Sequence, residues 1–314
     1  MRILLTGSSS FTGTWFATEL AAAGHDVTAT LTGLRNTYAG LRRTRIDRVA
    51  ESATVVESTR FGDERFMRLC HEGPWDVLCH HAADVTNYKN PDFDVTAALA
   101  NNTRHIDAVL RALTTSGCRV VVATGSVFEP GEGAGSDTLP AFSPYGLSKA
   151  LTWQTLAYYA HRHAIPAAKF VIPNPFGPLE EPRFTHHLLK TWARHEPAAV
   201  NTPAYVRDNI HVTLLARAYA RFVEQVAERR ELAKFNPSGY IETQGAFAER
   251  FAAEMRPRLE LPCELTLAHQ TDFSEPRIRI NTDALDPANY DWDEDHAWTA
   301  IADASGPVLD EARR

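Results

Sequence analysis

The 314-residue sequence has no apolar run approaching the ~20 residues of a membrane-spanning helix, so no helical membrane span is expected. Its four cysteines, Cys70, Cys79, Cys118 and Cys263, form no C-x-x-C pair. Thiols scattered in this way predict buried, reduced side chains rather than a disulfide framework. An excess of positive charge is also lacking. The formal net charge of −7 gives no electrostatic case for binding nucleic acid or an anionic membrane. The chain opens directly into Arg2-Ile3-Leu4-Leu5-Thr6, too short for the core of a signal peptide, and a cytoplasmic protein is expected. No internal repeat or long low-complexity segment interrupts it. What remains is 44% hydrophobic and 23% charged, the composition of a globular protein with a large core, built as one α/β unit or two unequal domains.

Arg2–Thr6 reads as a strand buried on both faces, and it enters Gly7-Ser8-Ser9-Ser10-Phe11-Thr12-Gly13 before a helical pattern over 14–23. Strand, glycine turn and helix make a phosphate-binding loop: small residues let the backbone approach a pyrophosphate, and the helix N-terminus supplies N–H donors. Gly7 and Gly13 match the outer glycines of a G-x-x-G-x-x-G turn, with Ser10 at the middle one. Serine tolerates positive φ poorly, so a slightly rearranged loop is expected. Further strands are predicted at 26–31, 53–57, 76–80, 119–124 and 167–172, alternating with helices that include 94–113 and 143–163. That alternation predicts a doubly wound parallel sheet, a Rossmann fold. His80 and His81 are adjacent and face opposite sides, so they predict wall or core positions rather than a shared metal site.

After residue 172 the pattern becomes less regular. Helices are predicted at 184–194, 211–228 and 243–255, and strands near 204–206 and 259–267. The expected division is a dinucleotide-binding domain of 1–172 plus 206–234, and a smaller, discontinuous α+β substrate domain of 173–205 plus 235–314. The acidic cluster Asp291-Trp292-Asp293-Glu294-Asp295 lacks the glycine and ligand spacing of a calcium loop and reads as solvated surface. No metal site is expected.

The segment Ser143-Pro144-Tyr145-Gly146-Leu147-Ser148-Lys149 reads as the start of a helix, with Ser143 as N-cap and Pro144 at N1. Tyr145 and Lys149, four residues apart, then share a face. An ammonium and the positive end of the helix dipole both favour a phenolate, which suits the tyrosine to proton transfer near neutral pH.

With these residues in order, the chain resembles an extended short-chain dehydrogenase/reductase, the family of nucleotide-sugar epimerases, dehydratases and ketoreductases. The resemblance runs over nearly the whole chain: the Gly7–Gly13 turn, His81-Ala82-Ala83, Asn102, Thr124, the Tyr145/Lys149 pair, Asn174 with Gly177-Pro178, and Tyr205-Val206-Arg207-Asp208. It implies Thr124, Tyr145 and Lys149 as the catalytic set. It implies cofactor contacts from Gly7, Ser9, Ser10, Phe11, Thr12, Gly13, Leu31, Arg35, His81, Ala82, Ala83, Asn102, Tyr145, Lys149 and Pro173. Thr124, Ser126, Asn174 and Arg207 would bind a nucleotide-diphosphate sugar, Arg207 at the diphosphate. A homodimer is implied through the helices of 94–113 and 143–163, with Ala150, Leu151, Leu156, Ala157 and Ala160 as permissive apolar positions.

Departures from the family pattern narrow the reaction. Family dehydratases carry acidic residues just after the position of Thr124, where this chain has Gly125 and Ser126. Family 3,5-epimerases use a cysteine and a histidine, where Ser126 and Leu179 stand. Redox at one carbon, C4, is what remains. Family NAD sites place a carboxylate at the position of Leu31, and Arg35 follows, able to reach a 2′-phosphate if the loop folds back, with Arg42 and Arg43 as more distant candidates. NADP(H) and a 4-ketoreductase are therefore expected, with an NAD-dependent 4-epimerase as the alternative. A catalytically inert cofactor sensor is a third reading, which the intact Thr124, Tyr145 and Lys149 oppose.

Overall fold

The structure is a computed structural model, and it describes residues 1–85, 88, 90–135, 140–141 and 143–313, the last without its side chain. In chain order the elements begin β1 (Arg2–Thr6), α1 (Phe11–Ala22), β2 (Asp26–Thr30), α2 (Gly40–Ser52), β3 (Thr54–Val56), α3 (Glu64–His71) and β4 (Val77–His80). They continue with α4 (Val95–Asn102), α5 (Ile106–Thr115), β5 (Val120–Ser126), α6 (Pro144–Arg162), β6 (Ala167–Ile172), β7 (Asn174–Phe176), α7 (Phe184–Trp192) and β8 (Ala198–Val200). Then come β9 (Val206–His211), α8 (Val212–Arg229), β10 (Ala233–Phe235), β11 (Pro237–Ser238), β12 (Tyr240–Thr243), α9 (Gln244–Leu259) and β13 (Leu265–Leu267). The last are β14 (Ile278–Arg279), β15 (Asp283–Ala284), α10 (Glu294–Ala304) and α11 (Gly306–Arg313).

Two compact units emerge. The first holds Met1–Glu132, Pro140–Ile172 and Ala216–Asn236; the second holds Gly133–Leu139, Pro173–Leu215 and Pro237–Arg314. In the first unit, seven strands among the described residues form a parallel sheet in the order β10-β6-β5-β4-β1-β2-β3. The order reverses direction at β1 and β4, the switch point where open α/β sheets take their ligands. The central strands are apolar runs, and Leu4, Leu78 and Val121 are fully buried with Phe66, Leu110, Leu113 and Leu156 packed over them. On aromatic side chains, Phe16 stacks on Tyr219 at 4.0 Å and Phe170 meets the same ring edge-on at 5.0 Å.

The second unit has its own core, in which Phe176, Trp192, Phe247, Phe251 and Trp298 are buried together. Its main sheet is built on β9, which pairs antiparallel with β12 and parallel with β7 and β14. The sequence places a strand near 204–206 and one helix over 94–113. The strand instead starts at Val206 and runs to His211, and His105 adopts a left-handed conformation (φ 51°) that splits the helix into α4 and α5. Ala150, Leu156 and Ala160, expected to permit a dimer contact, are buried in the unit's own interior. No helix of the described residues is long and apolar enough to cross a membrane.

Candidate active site

Gly7 leaves β1 at φ +76°, and a Cβ there would lie 2.8 Å from the Ala82 nitrogen. A Cβ on Gly13 would lie 2.2 Å from the Gly7 carbonyl oxygen, so both outer positions need glycine. Ser10 does not. Its φ is −80°, and it is the N-cap of α1: its hydroxyl accepts the Gly13 N–H at 3.1 Å and donates to the Gly7 carbonyl at 2.9 Å. The middle position therefore makes no demand for positive φ, and the serine there supplies the helix cap. Thr14 braces the turn by donating to the carbonyls of Ser8 and Ser10. Phe11 is buried and Thr12 nearly so, and no acidic residue occupies the first turn of α1, so nothing there opposes an anion.

Leu31 follows β2, buried at 2% exposure. Arg35 does not reach the turn. Its guanidinium donates to Asp47 at 3.0 and 2.5 Å, an aspartate of α2 that Arg43 also holds. The arginine that lies against the turn is Arg42, whose Nε and Nη2 donate to Ser9 Oγ at 3.2 and 3.1 Å while its guanidinium sits 5.2 Å from the centre of the Tyr38 ring. The 2′-phosphate contact expected of Arg35 is thus occupied by an ion pair, and an arginine seven positions later faces the cofactor turn.

At the end of β4, His80 is a satisfied core histidine. Its Nδ1 pairs with Thr6 Oγ1 at 3.2 Å and its Nε2 with the Asn102 carbonyl at 3.0 Å, and burial pushes its pKa down to about 4. Thr6 Oγ1 also accepts the N–H groups of His81 and Ala82, which fixes the start of the His81-Ala82-Ala83 segment. Asn102 is expected to touch the cofactor. Its amide instead donates to Thr152 at 3.2 Å and accepts the Asp84 N–H at 2.8 Å, so it braces α4 against α6.

Thr124 lies near the end of β5, 4% exposed, with its Oγ1 2.8 Å from His81 Nδ1. Ser126 is buried; its N–H donates to Glu129 at 2.7 Å and its hydroxyl accepts the Phe128 N–H. Helix α6 starts as its sequence predicts, with the Ser143 hydroxyl accepting the Gly146 N–H at 3.2 Å and Pro144 in the first turn. The Tyr145 ring meets Tyr88 at 5.5 Å and Phe93 at 6.3 Å. Lys149 is 6% exposed, and burial lowers its pKa to about 8 against the opposing attraction of Glu129, with Lys169 adding to the fall.

Glu129, Glu132 and Lys169 form a cluster that the sequence analysis does not single out. Lys169 Nζ donates to Glu129 at 2.6 Å and to Glu132 at 2.7 Å, all three nearly inaccessible, and Lys234 and Asn236 complete the shell of Glu132. The signal was present: one lysine interrupts the apolar strand Ala167–Ile172, and a lone charge there requires buried counter-charges. A Cβ on Gly125 would lie 2.5 Å from Lys169 Cε and 2.8 Å from Glu129 Oε1, so a larger side chain after Thr124 would have to displace the ends of this ion pair.

The second unit carries the remaining expected residues. Pro173 is buried, and Asn174 donates to the Asp208 carbonyl at 3.2 Å. Arg207 is fully engaged: Nη1 donates to the carbonyls of Val206, Pro276 and Arg277, and Nη2 to Glu275 at 2.7 Å. Its partner is Glu275 and not Asp208, which is buried and accepts the N–H groups of Gly239 and Asn281. Tyr205, Arg207, Gln244, Phe273 and Glu275 line a cavity of about 450 Å³. No group of His, Cys, Asp or Glu able to hold a metal occurs among the described residues; Asp293 of the acidic cluster caps α10.

The fold has solved counterparts. A UDP-glucose-4-epimerase from Stenotrophomonas maltophila, with bound NAD and formylated UDP-arabinopyranose, superposes with a TM-score of 0.73 at 19% identity, covering 99% of this chain and 98% of that one. A UDP-glucuronic acid 4-epimerase from Bacillus cereus, a mutant in complex with a fluorinated UDP-glucuronic acid and NAD, gives 0.72 at 16% identity and 99% coverage of both chains. The UDP-Glc/GlcNAc 4-epimerase of Campylobacter jejuni gives 0.70 at 14%, again covering 99% of each. Residues 3–236 match the family described as NAD dependent epimerase/dehydratase. The chain therefore belongs to the NAD dependent epimerase/dehydratase family.

Proposed function

We propose that the protein interconverts the C4 epimers of a nucleotide-diphosphate sugar with NAD as its cofactor. The observation that carries this reading is the β5–α6 site: Thr124, Tyr145 and Lys149 are retained, while the residue after Thr124 is Gly125, over which the Lys169 and Glu129 side chains pack in place of a catalytic carboxylate. A dehydration that needs acidic groups there is disfavoured, and redox at a single carbon is not. Leu31 and Arg35, read from the sequence alone, favour an NADP(H)-dependent ketoreductase. The epimerase alternative has better support, because solved neighbours are NAD-bound 4-epimerases of UDP sugars.

NAD fits the residues present. The Gly7–Gly13 turn leaves backbone where side chains would clash, and the start of α1 offers N–H groups with no opposing carboxylate. When bound, NAD supplies the acceptance and return of a hydride at C4. Tyr145, as the phenolate that the Lys149 ammonium stabilises, takes the proton of the C4 hydroxyl, and as the neutral phenol it later gives that proton back. Thr124 hydrogen-bonds the same oxygen and fixes its orientation. Arg207 exchanges Glu275 for the diphosphate of the substrate.

The test is to incubate the purified chain with UDP-glucose and related UDP, GDP, CDP and dTDP sugars and follow C4 inversion by proton NMR, after identifying any dinucleotide released on denaturation. Inversion of one of them is expected, with Tyr145→Phe slower by at least ~10²-fold. Net consumption of NADPH with a keto sugar and no inversion of any substrate would move the assignment to a ketoreductase.

A further inference from the structure

Lys149 lies near the start of α6, at the positive end of the helix dipole, and only 6% of its surface is exposed. Both circumstances oppose an ammonium, and the first turn of α6 contains no acidic residue to offset them. A counter-charge has to come from outside the helix. The connection that follows β5 brings one.

Glu129 is fully buried and pinned from two sides. Its Oε1 accepts the Ser126 N–H at 2.7 Å, its Oε2 accepts from Lys169 Nζ at 2.6 Å, and its own N–H donates to the Ser126 carbonyl at 3.0 Å. The turn that these bonds close is pressed against α6, since a Cβ on Gly146 would lie 2.1 Å from the Phe128 carbonyl oxygen. One helical turn beyond Lys149, on the same face, the Trp153 ring lies 5.7 Å from Lys169 Nζ. The ion pair thus fills the wedge between β5, β6 and the N-terminal half of α6, all within the first unit. Its charges do not cancel at Lys149. Glu132 is matched by Lys169, Lys234 and Asn236, whereas the attraction of Glu129 for Lys149 outweighs the repulsion from Lys169. The other titratable groups around Lys149 are Tyr145 on its own helix and, at the end of β4, His80 and His81, which burial keeps neutral.

We propose that Glu129 is a positioning residue: pinned against the start of α6, it supplies the buried negative charge that keeps Lys149 an ammonium while Tyr145 exchanges its proton. Lys169 holds one oxygen of that carboxylate and the Ser126 N–H the other, so the charge cannot swing away from the helix. That Lys149 serves Tyr145 rests on the proposed function; the coupling of Glu129 to Lys149 does not. The assignment carries a sign. Removing the charge of Glu129 lowers the pKa of Lys149, and removing the charge of Lys169 raises it, although both changes damage the same ion pair. Loosened packing alone would move the two variants in the same direction.

The first measurement needs no turnover. The full chain carrying ¹³C-labelled lysine is titrated by NMR, the Lys149 signal being the one lost in Lys149→Arg. A midpoint of about 8 is expected in the unmodified chain. It should lie at least about one unit lower in Glu129→Gln, and higher than in the unmodified chain in Lys169→Met. A midpoint that stays in place in Glu129→Gln, or that moves the same way in both variants, would overturn the proposal. Where a single variant does not fold, Glu129→Gln combined with Lys169→Met removes both charges of the buried pair together. Its midpoint is expected below that of the unmodified chain, because the larger of two opposing effects is lost, and a midpoint at or above it would overturn the proposal equally. The second measurement is the pH profile of kcat/KM. The loss in Glu129→Gln should be less than about 1.5-fold at pH 6 and about fivefold at pH 8, as the descending limb moves down with the lysine. An equal loss at every pH would assign Glu129 to the scaffold alone and end the proposal. A shifted Lys149 midpoint in a chain that inverts no nucleotide sugar supports the coupling and counts against the proposed function instead.

Discussion

Lys149 shows how burial sets the working range of a single side chain. An ammonium removed from water is disfavoured, and with about 6% of its surface exposed the group falls to a pKa of about 8. The ammonium that would stabilise a Tyr145 phenolate is therefore present below that value and lost above it. A descending limb centred near pH 8 is expected in kcat/KM, and Lys149→Arg should remove that limb because guanidinium stays charged. A profile that stays level to pH 10 in the unmodified protein would separate the charge of Lys149 from the reaction. The partnership of Tyr145 with Lys149 and the Ser143 cap were legible because everything they need lies within one turn of chain. The state of Arg207 was not, since the carboxylate that holds it is 68 residues away. That carboxylate competes with a diphosphate for the same guanidinium. Glu275→Gln should consequently lower KM for the nucleotide sugar, Arg207→Ala should raise it, and unchanged KM in both variants would place the diphosphate elsewhere.

Elements are positioned by contacts that sequence periodicity does not register. The alternation of apolar runs located six strands of the parallel sheet, because such strands must be covered on both faces, but it missed the edge strand β10 and the helices α2 and α3. It did not give the break between α4 and α5, which depends on His105 taking a left-handed conformation while its ring pairs with the Gly62 carbonyl at 2.8 Å. Nor did it reveal that β5 and β6 are tied by ionic groups beneath the catalytic edge. Lys169 of β6 neutralises Glu129 and Glu132, the lysine's charge holding the Glu132 carboxyl below its ordinary range despite burial. Removing the lysine leaves the buried Glu129 carboxylate with the Ser126 N–H, and Glu132 with Lys234 and Asn236. Lys169→Met is expected to cost about 3–5 kcal/mol of stability by denaturant unfolding, a larger loss than trimming an apolar side chain of similar length would explain. Lys169→Met with Glu129→Gln should recover part of that loss, since one orphaned charge is removed with it. Equal stability of the single and double variants would mean that water reaches the site and solvates the carboxylate.

Across the molecule, both compact units bury histidines that can fold only in the neutral state. His80 and His81 belong to the first unit, with pKa values pushed down to about 4 and about 3; His211 belongs to the second and is pushed down to about 3. Burial is the leading cause in all three. The sign of the consequence follows from proton counting. Above a pH of about 6.5 neither state protonates these rings, and the stability they permit is complete. Below it the unfolded chain binds protons that the folded chain refuses, so the unfolding free energy falls with pH until the folded pKa values are reached. Because the depressed histidines are distributed over both units, neither should survive acid as an independently folded remainder. The melting midpoint is expected to decline steadily between pH 6.5 and 4, with near-ultraviolet circular dichroism and tryptophan fluorescence reporting the same curve, since Trp15 and Trp75 lie in the first unit and Trp192 and Trp298 in the second. His80→Gln should flatten the decline by one ring's share without moving the neutral-pH activity much, as its partners Thr6 and Asn102 pair equally well with an amide. A midpoint independent of pH over that interval would show that the folded chain takes up these protons as readily as the unfolded one, so that burial does not keep the rings neutral.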